Sequence, residues 1–299
     1  MEGWFAMGAP ALQDLELLMD AAWPAPDRGD ADGWVLRAAS GVTQRANSVW
    51  PRVPGDDQHA QLAALRLARQ WYRDRRLPLI FQLFDDPRSA GLHALLDAEG
   101  FTRQSETLVM TLTAGTGQGA AGSAVPDPSA REPLRPEPLK PEPGVELSAA
   151  PSSEWLALWW QVDGRGGAAE LATARTILTG CPSVYALVRS DDGRPAAVGR
   201  LALPPAHPGG GGAGAGGEAV ARGGLYGMAT RPDARRRGYA RQVLLALLGE
   251  GAARRLTGYW LLVTAANQPA RQLYAAAGFS EAARYHYRQD RPKRHLTGC

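Results

Sequence analysis

A short basic stretch in the second half of the chain has the residue types that bind phosphate groups. Residues 235–240 read Arg-Arg-Arg-Gly-Tyr-Ala, after an apolar run of strand length and before an apolar pattern with helical spacing. Gly238 allows the backbone to approach an anion closely, the arginines add positive potential, and a helix start presents unpaired N–H groups. The stretch predicts a pyrophosphate-binding loop, although an ordinary strand-to-helix turn with solvated arginines would use the same residues.

A second motif lies downstream of an apolar, strand-like run at residues 259–264. Residues 267–279 read Asn-Gln-Pro-Ala-Arg-Gln-Leu-Tyr-Ala-Ala-Ala-Gly-Phe. Together the two motifs resemble the Q/R-x-x-G-x-G/A loop and the N-x-x-A-x-x-L-Y-x-x-x-G-F segment of the GNAT acyltransferases. The resemblance covers roughly residues 145–288 and implies the element order β-α-α-β-β-β-α-β-α-β around a mixed, mostly antiparallel sheet flanked by helices.

The resemblance also implies a mechanism, in which acetyl-CoA is the donor and a primary amine attacks it directly. The acceptor would be a small amine or a peptide N-terminus. A backbone N–H near Met228 would polarise the thioester carbonyl, and Tyr274 would protonate the departing thiolate; these are the two implied catalytic residues. The implied cofactor-binding residues are Met228, Ala229, Thr230, Arg235, Arg236, Arg237, Gly238, Tyr239, Ala240, Asn267 and Tyr274.

The general base is left open by the sequence. Several members of the family place a glutamate on the central strands, but Tyr226 and Thr264 stand in those neighbourhoods here. Glu170, Asp163, His286 and a chain of water molecules remain as candidates, and none of them is preferred. Tyr274 also has an alternative interpretation, a core aromatic whose hydroxyl binds a carbonyl.

The first half of the chain repeats the order of elements of the second half, which indicates an internal duplication. Residues 92–101 correspond to 271–279 but lack the tyrosine, and Pro-Gly-Asp-Asp at 54–57 replaces the phosphate loop. Two carboxylates there would repel a pyrophosphate. We therefore predict an α/β (α+β) fold of two tandem GNAT-like domains, similar in layout to mycothiol synthase, with acetyl-CoA bound only by the C-terminal domain. An unrelated α/β lobe is the alternative for the first half.

Composition suggests where these domains begin and end. We predict a degenerate GNAT-like domain at 1–113, a disordered linker rich in Pro and Gly at 114–143, and a catalytic domain at 144–290. A glycine-rich insertion is expected at 204–224 and a basic tail at 291–299. Within the first domain, the pattern predicts strands at 33–38, 46–53, 77–84 and 107–113, and helices at 12–22, 57–75 and 89–99.

Charge and cysteine content argue against other kinds of protein. The 33 basic and 30 acidic side chains leave a net charge of +3, too small to imply a nucleic-acid partner. The two cysteines provide neither a disulfide framework nor a zinc site, so no metal is expected. Without an apolar run of membrane length, we expect a cytoplasmic monomer or homodimer with no membrane partner. Two alternatives stay open: a noncatalytic acyl-CoA sensor, which the presence of Tyr274 disfavours, and a nucleic-acid module using the Arg231–Arg241 cluster.

Overall fold

The structure is a computed structural model that describes residues 9–113, 144–205 and 221–291. The predicted linker at 114–143, most of the predicted insertion at 204–224 and nearly all of the basic tail lie outside the described residues. One boundary is corrected: residues 222–224, assigned to the insertion, form the start of a strand.

The first half contains three helices and five strands among its described residues. They are α1 (Ala9–Ala22), β1 (Asp27–Ala31), β2 (Trp34–Ala38), β3 (Trp50–Pro51), α2 (Gln58–Asp74), β4 (Ile80–Phe84), α3 (Ala90–Ala98) and β5 (Thr102–Thr113). The described part of the second half contains β6 (Val145–Ser148), α4 (Ser153–Asp163), α5 (Ala168–Thr179), β7 (Ser183–Arg189), β8 (Pro195–Ala202), β9 (Arg222–Thr230), α6 (Tyr239–Ala253), β10 (Gly258–Thr264), α7 (Gln268–Ala276) and β11 (Ser280–Gln289).

The predicted strand at 46–53 is wrong for most of its length. Only Trp50–Pro51 forms a strand, and residues 44–48 form a tight turn. The cause is Asn47, whose Oδ1 accepts hydrogen bonds from the amides of Ala39 and Gly41, both at 2.8 Å. Because a side-chain amide replaces the strand ladder, the backbone curls instead of extending.

The two halves exchange their last strands within one sheet. An eight-stranded sheet has the order β4-β11-β5-β10-β9-β8-β7-β6, so β11 lies between two strands of the first half. In turn, β5 lies between β11 and β10, with Met110 opposite Leu261 and Thr107 opposite Tyr285. Each half thus completes the sheet of the other, and the tandem layout produces one continuous sheet.

A smaller sheet, β1-β2-β3, adjoins β4 through a parallel bridge between Val49 and Phe81. The same order, an antiparallel hairpin followed by strand, helix, parallel strand, helix and last strand, therefore occurs in both halves. This shared order agrees with the internal duplication that the sequence predicts.

Helices cover both faces of the large sheet. Helices α1, α4 and α5 pack on one face, and α6 with α7 packs on the other. Trp155 and Trp159 of α4 are buried, as expected, and the indole Nε1 of Trp155 donates to the carbonyls of Ala186 and Gly199 at 3.1 Å each. Helix α4 is thereby anchored directly over β7 and β8. None of the helices within the described ranges is long and apolar enough to cross a bilayer.

Candidate active site

A cavity of about 430 Å³ opens where β9 and β10 separate. These parallel strands pair only from Arg222 opposite Gly258 to Leu225 opposite Leu261, and then diverge. The gap lies in the middle of the sheet, with residues of both halves of the chain around it. Its walls are formed by Trp23, Thr43, Gln44, Arg45, Ser105, Thr107, Trp159, Asp163, Leu225, Tyr226, Gly227, Met228, Leu262, Val263, Thr264, Asn267, Ala270, Tyr274, Tyr285 and Tyr287.

A β-bulge in β9 faces this cavity. Tyr226 pairs with Arg200 and Ala229 pairs with Val198, so Gly227 and Met228 together stand opposite a single residue of β8. Gly227 has φ of +59°, a left-handed conformation that favours glycine. A bulge takes one residue out of the hydrogen-bonded ladder and re-aims its backbone groups. The backbone around Met228, to which the sequence analysis gives a catalytic role, therefore lies outside the regular hydrogen-bonded ladder of the sheet. It does so at the cavity wall.

Tyr274, on α7, lines the opposite side of the cavity. Its side chain is 7% exposed and packs edge-to-face against Phe279, with ring centroids 6.2 Å apart. The buried Tyr72, Tyr185 and Tyr259 each donate a hydrogen bond to a backbone carbonyl; within the described ranges, Tyr274 has no such bond. Burial, together with the nearby charge of Asp163, raises the pKa of Tyr274 to about 12. The phenol is thus protonated at neutral pH and faces the cavity.

Asn267 has a structural task at the start of the same helix. Its side chain caps α7 by accepting a hydrogen bond from the amide of Ala270 at 3.3 Å, and both residues line the cavity. This N-cap satisfies one of the unpaired amides at the helix start. Asn267 therefore helps to set the position from which Tyr274 enters the cavity.

The predicted phosphate loop begins α6 on the protein surface. Gly238, with φ of +87°, is the N-cap of α6, and a Cβ added there would meet no atom within 4 Å. Arg236 also has positive φ, at +59°. Turns of this kind direct successive N–H groups to one side and form anion-binding concavities. Ala229 and Thr230 continue β9 toward this loop, and they do not line the cavity.

The equivalent helix start in the first half is closed to an anion. The carboxylate of Asp57 caps α2 by accepting the amide hydrogen of His59 at 2.9 Å. A negative side chain therefore stands at the unpaired amides of this helix start, and the absence of an acetyl-CoA site in the first half stays a prediction.

Arg231 does not belong to a surface basic cluster. It is only 8% exposed, and its Nε contacts the carboxylate of Asp233 at 2.6 Å. Its Nη1 also donates to the carbonyl of Pro195 at 2.9 Å. Because Arg231 is already paired inside the protein, the predicted Arg231–Arg241 cluster loses a member, and the case for a nucleic-acid surface weakens.

The structure separates the three candidate bases. Asp163 lines the cavity at the end of α4, whereas Glu170 lies outside it and accepts the amide hydrogen of Gly167 at 2.8 Å, near the start of α5. His286 alternates with the cavity-lining Tyr285 and Tyr287 along β11, so it faces away, with Nε2 at 2.9 Å from Asp85. Of the three candidate bases, only Asp163 therefore lines the same cavity as Tyr274.

The surroundings of Asp163 suit a proton acceptor. Water reaches the side chain, yet the protein atoms around it desolvate the ionised form and raise its pKa. Its position at the negative end of the α4 dipole acts in the same direction. The charges of Arg165 and Arg45 act in the opposite direction, but burial is the larger effect. A carboxylate with a raised pKa holds a proton more readily than an ordinary surface aspartate.

Sequence reasoning missed the contribution of the first half to this cavity. Trp23, at the end of α1, stacks on Tyr226 of β9, and its Nε1 donates to Thr43 at 3.1 Å. Arg45 and Thr107 also line the cavity. No local motif marks these residues, because their place depends on the strand exchange. The arrangement as a whole combines irregular backbone, a protonated phenol and a carboxylate, which are the parts that acyl transfer requires.

Comparisons with known proteins identify the family and the fold. The family described as "Probable histone acetyltransferase Rv0428c C-terminal" matches residues 11–288. A GCN5-related N-acetyltransferase from Kribbella flavida superposes with a TM-score of 0.59 at 18% identity, covering 97% of this chain and 98% of that chain. A tandem GNAT protein from the clavulanic acid biosynthesis pathway superposes with a TM-score of 0.56 at 16% identity, covering 96% and 91%.

A curated relative matches a smaller part. An uncharacterized N-acetyltransferase, YobR, from Bacillus subtilis (strain 168) is 32% identical over 100 residues, which are 33% of this chain and 38% of that protein. The match therefore spans well under half of the relative. The family match extends over nearly all the described residues, and the structural neighbours share the fold from end to end. The chain belongs to the Rv0428c C-terminal acetyltransferase family and has the tandem GNAT fold.

Proposed function

We propose that this protein transfers an acetyl group from acetyl-CoA to a primary amine. The observation that carries the proposal is the meeting of three groups at one cavity: the bulged backbone at Met228, the phenol of Tyr274 and the carboxylate of Asp163. The glycine-containing start of α6 supports a CoA donor, because its backbone suits a pyrophosphate and no side chain blocks it.

In the proposed reaction, Asp163 takes a proton from the acceptor ammonium, and the free amine attacks the thioester carbonyl. A C–N bond forms, and the negative charge on the carbonyl oxygen is stabilised by a backbone N–H of the Gly227–Met228 bulge. The C–S bond then breaks, the thiolate receives the proton of the Tyr274 hydroxyl, and the second proton lost by the attacking nitrogen restores that hydroxyl. The products are an acetylated amine and CoA thiol, and Asp163 returns its proton to water.

Two alternative functions would differ from the proposed one in the turnover of acetyl-CoA with an amine. An acyl-CoA sensor would bind acetyl-CoA without releasing thiol on any amine. A nucleic-acid module would bind polyanions through the exposed Arg235, Arg236 and Arg237, with a strong salt dependence. A protein that binds a polyanion on its surface would not need the cavity, so the presence of the cavity favours the transferase.

The test is a screen of the full-length protein with acetyl-CoA, in which free thiol is measured by absorbance and the acetylated product by mass spectrometry. The acceptors are amino acids, their amides, simple alkylamines, aminoglycosides and lysine-containing peptides, the last because the family description names a histone acetyltransferase. We expect thiol release that depends on the acceptor. Saturable acetyl-CoA binding without release on any of these amines would support the sensor instead.

A further inference from the structure

Arg45 brings a positive charge to the wall of the cavity. Its guanidinium lies 5.4 Å from the ring centre of Trp23 and 5.1 Å from that of Tyr226. Its Nε is buried and has no hydrogen-bond partner within the described ranges. Those ranges also contain no carboxylate within 4.0 Å of its nitrogens. The phenols of Tyr285 and Tyr287 are near neighbours, and a hydrogen bond with Tyr285 favours the charged guanidinium. A phenol, however, does not neutralise a cation at neutral pH.

A second arginine adds to the positive charge behind the same rings. Arg200 is fully buried, and its guanidinium lies 5.7 Å from the ring centre of Trp23 and 5.8 Å from that of Tyr226. Its Nε donates to Ser183 and its Nη1 to the carbonyl of Ala22, both at 2.9 Å, while Nη2 has no partner among the described residues. Two poorly compensated cations beside one aromatic pair are costly unless an anion approaches them.

The turn that carries Arg45 is held rigid. Asn47 is 3% exposed, and besides the two amides that it binds through Oδ1, its Nδ2 donates to the carbonyl of Thr43 at 2.7 Å. Thr43 in turn accepts hydrogen bonds from the indole of Trp23 and from the amide of Ala46. Arg45 is therefore presented to the cavity from a braced loop, and it would lose little further freedom on binding a ligand.

The CoA phosphates are not the natural partner of this charge. The pyrophosphate loop at the start of α6 does not line the cavity, whereas Arg45 does. Among the described residues, Asp163 alone brings a carboxylate to the cavity wall; the charge of Arg45 acts on it, but the two groups do not approach within 4.0 Å. The cavity thus has a carboxylate suited to a cationic amine and, separately, a guanidinium suited to an anion. A guanidinium matches a planar carboxylate with two parallel hydrogen bonds.

We propose that the acceptor is an amino-acid-like molecule, whose carboxylate binds Arg45 while its amine points toward Asp163 and Tyr274. The inference rests on the proposed acetyl transfer and adds the chemical class of the acceptor. The aromatic walls of Trp23, Trp159 and Tyr226 suit an apolar or aromatic side chain on that molecule. Arg45 would then select the acceptor by its charge.

The test compares matched pairs of acceptors with the full-length protein. Each pair consists of a free L-amino acid, such as leucine or phenylalanine, and its C-terminal amide, which keeps the amine and side chain but loses the carboxylate. With wild type, we expect kcat/KM to be about 10- to 100-fold higher for the acids, since hydrogen bonds to charged groups are the stronger ones. Arg45→Gln should bring the acids down to the level of the amides, and Arg45→Lys should restore part of the preference.

Arg66→Gln is the matched control, because it removes an equal charge from an exposed position on α2; it should leave the preference unchanged. A second readout needs no turnover. The free amino acids should raise the melting temperature of wild type, whereas their amides should not, and Arg45→Gln should lose the effect. If Arg45→Gln does not fold, the comparison of acids and amides on wild type still decides the question.

The outcomes separate the two proposals. Equal rates on acids and amides, or faster rates on amides or on a lysine peptide, would overturn the carboxylate proposal and leave acetyl transfer standing. Absence of thiol release on every amine, with melting temperature raised by acids alone, would overturn acetyl transfer and support carboxylate binding at Arg45. If acids and amides differ in neither rate nor melting temperature, the carboxylate proposal is wrong.

Discussion

The indole of Trp23 stacks on the phenol of Tyr226, with ring centroids 5.4 Å apart and planes 25° from parallel. Trp23 directly follows α1 in the first half, and Tyr226 lies on β9 in the second half. The contact closes one end of the cavity with a residue from each half. The exchange of β5 and β11 has the same effect on the sheet, so neither half presents a complete site by itself.

The first prediction is that the second half does not fold alone. The sequence predicts that a fragment from Val145 onward binds acetyl-CoA provided that it folds. Among the described strands, however, β11 pairs only with β4 and β5, and both belong to the first half. Without those neighbours, β11 has no backbone partners and the edge of β10 is open. We expect residues 144–299 to show no cooperative thermal transition by circular dichroism.

Mixing the fragments 1–113 and 144–299 should restore that transition. It should also restore acetyl-CoA binding at one site per pair, measured by calorimetry, and the intact chain should likewise show one site. A fragment 144–299 that melts cooperatively and binds acetyl-CoA with native affinity would contradict the shared sheet. Two sites on the intact chain would contradict the closed helix start at Asp57.

The second prediction concerns the hydroxyl of Tyr274. Tyr274→Phe keeps the ring that packs on Phe279, so we expect turnover to fall by about 10²- to 10⁴-fold while acetyl-CoA binding changes little. Steady-state kinetics with thiol detection, and calorimetry for binding, measure the two effects.

Tyr259→Phe is the matched control, since it removes a buried hydroxyl that donates to the carbonyl of Leu248 away from the cavity. It should lower stability by about 1 kcal/mol and leave turnover intact. Full turnover by Tyr274→Phe would leave protonation of the thiolate to water.

The third prediction separates backbone strain from phosphate binding at Gly238. From the sequence, Gly238→Asp is expected to weaken acetyl-CoA binding with little effect on folding. The φ of +87° revises the second part, because a side chain in this conformation costs roughly 1–2 kcal/mol. Gly193→Asp, in the exposed hairpin turn between β7 and β8 with φ of +76°, provides a similar strain outside the loop.

Both variants should therefore lose similar stability in thermal melts. Only Gly238→Asp should raise the KM for acetyl-CoA, because it adds bulk and negative charge at the helix start. Equal KM values for the two variants would place the pyrophosphate elsewhere.

The fourth prediction follows from the raised pKa of Asp163. A carboxyl whose pKa is higher in the folded than in the unfolded state favours folding at acid pH, and this contribution is lost as pH rises through the folded-state pKa. Asp163→Asn should therefore be more stable than wild type at neutral pH and lose that advantage near pH 4, about the ordinary pKa of aspartate. Melting temperatures across pH measure the crossover.

The same variant should lose most of its kcat/KM, by about 10²-fold or more, if Asp163 is the base. Glu170→Gln is the control, and its expected effect on stability at neutral pH has the opposite sign. Its carboxylate accepts the Gly167 amide, which lowers its pKa, so the variant should be less stable at neutral pH and fully active. Full activity of Asp163→Asn would show that Asp163 is not the base and would leave that role to water.

Several features of the fold and site were accessible from the sequence because they are local. The turn around Gly238 and the start of the helix after Asn267 depend on backbone conformation within a few residues, and such conformations impose residue types at fixed spacing. The same is true of the helix that carries Tyr274. The hairpin between β1 and β2 was also encoded locally: Asp32-Gly33, both with positive φ, is a typical hairpin turn that the apolar pattern did not mark.

The sequence by itself determined the family motifs and most of the order of elements in the two halves, and it predicted the residues of a CoA site. Only the tertiary structure decided that β5 and β11 change places, that Asp163 alone among the candidate bases reaches the cavity, and that Arg45 lines the same cavity. The physical reason is the range of the contacts. The predicted phosphate loop is one continuous segment of backbone, whereas the cavity is lined by side chains distant in sequence, which only the shared sheet brings together.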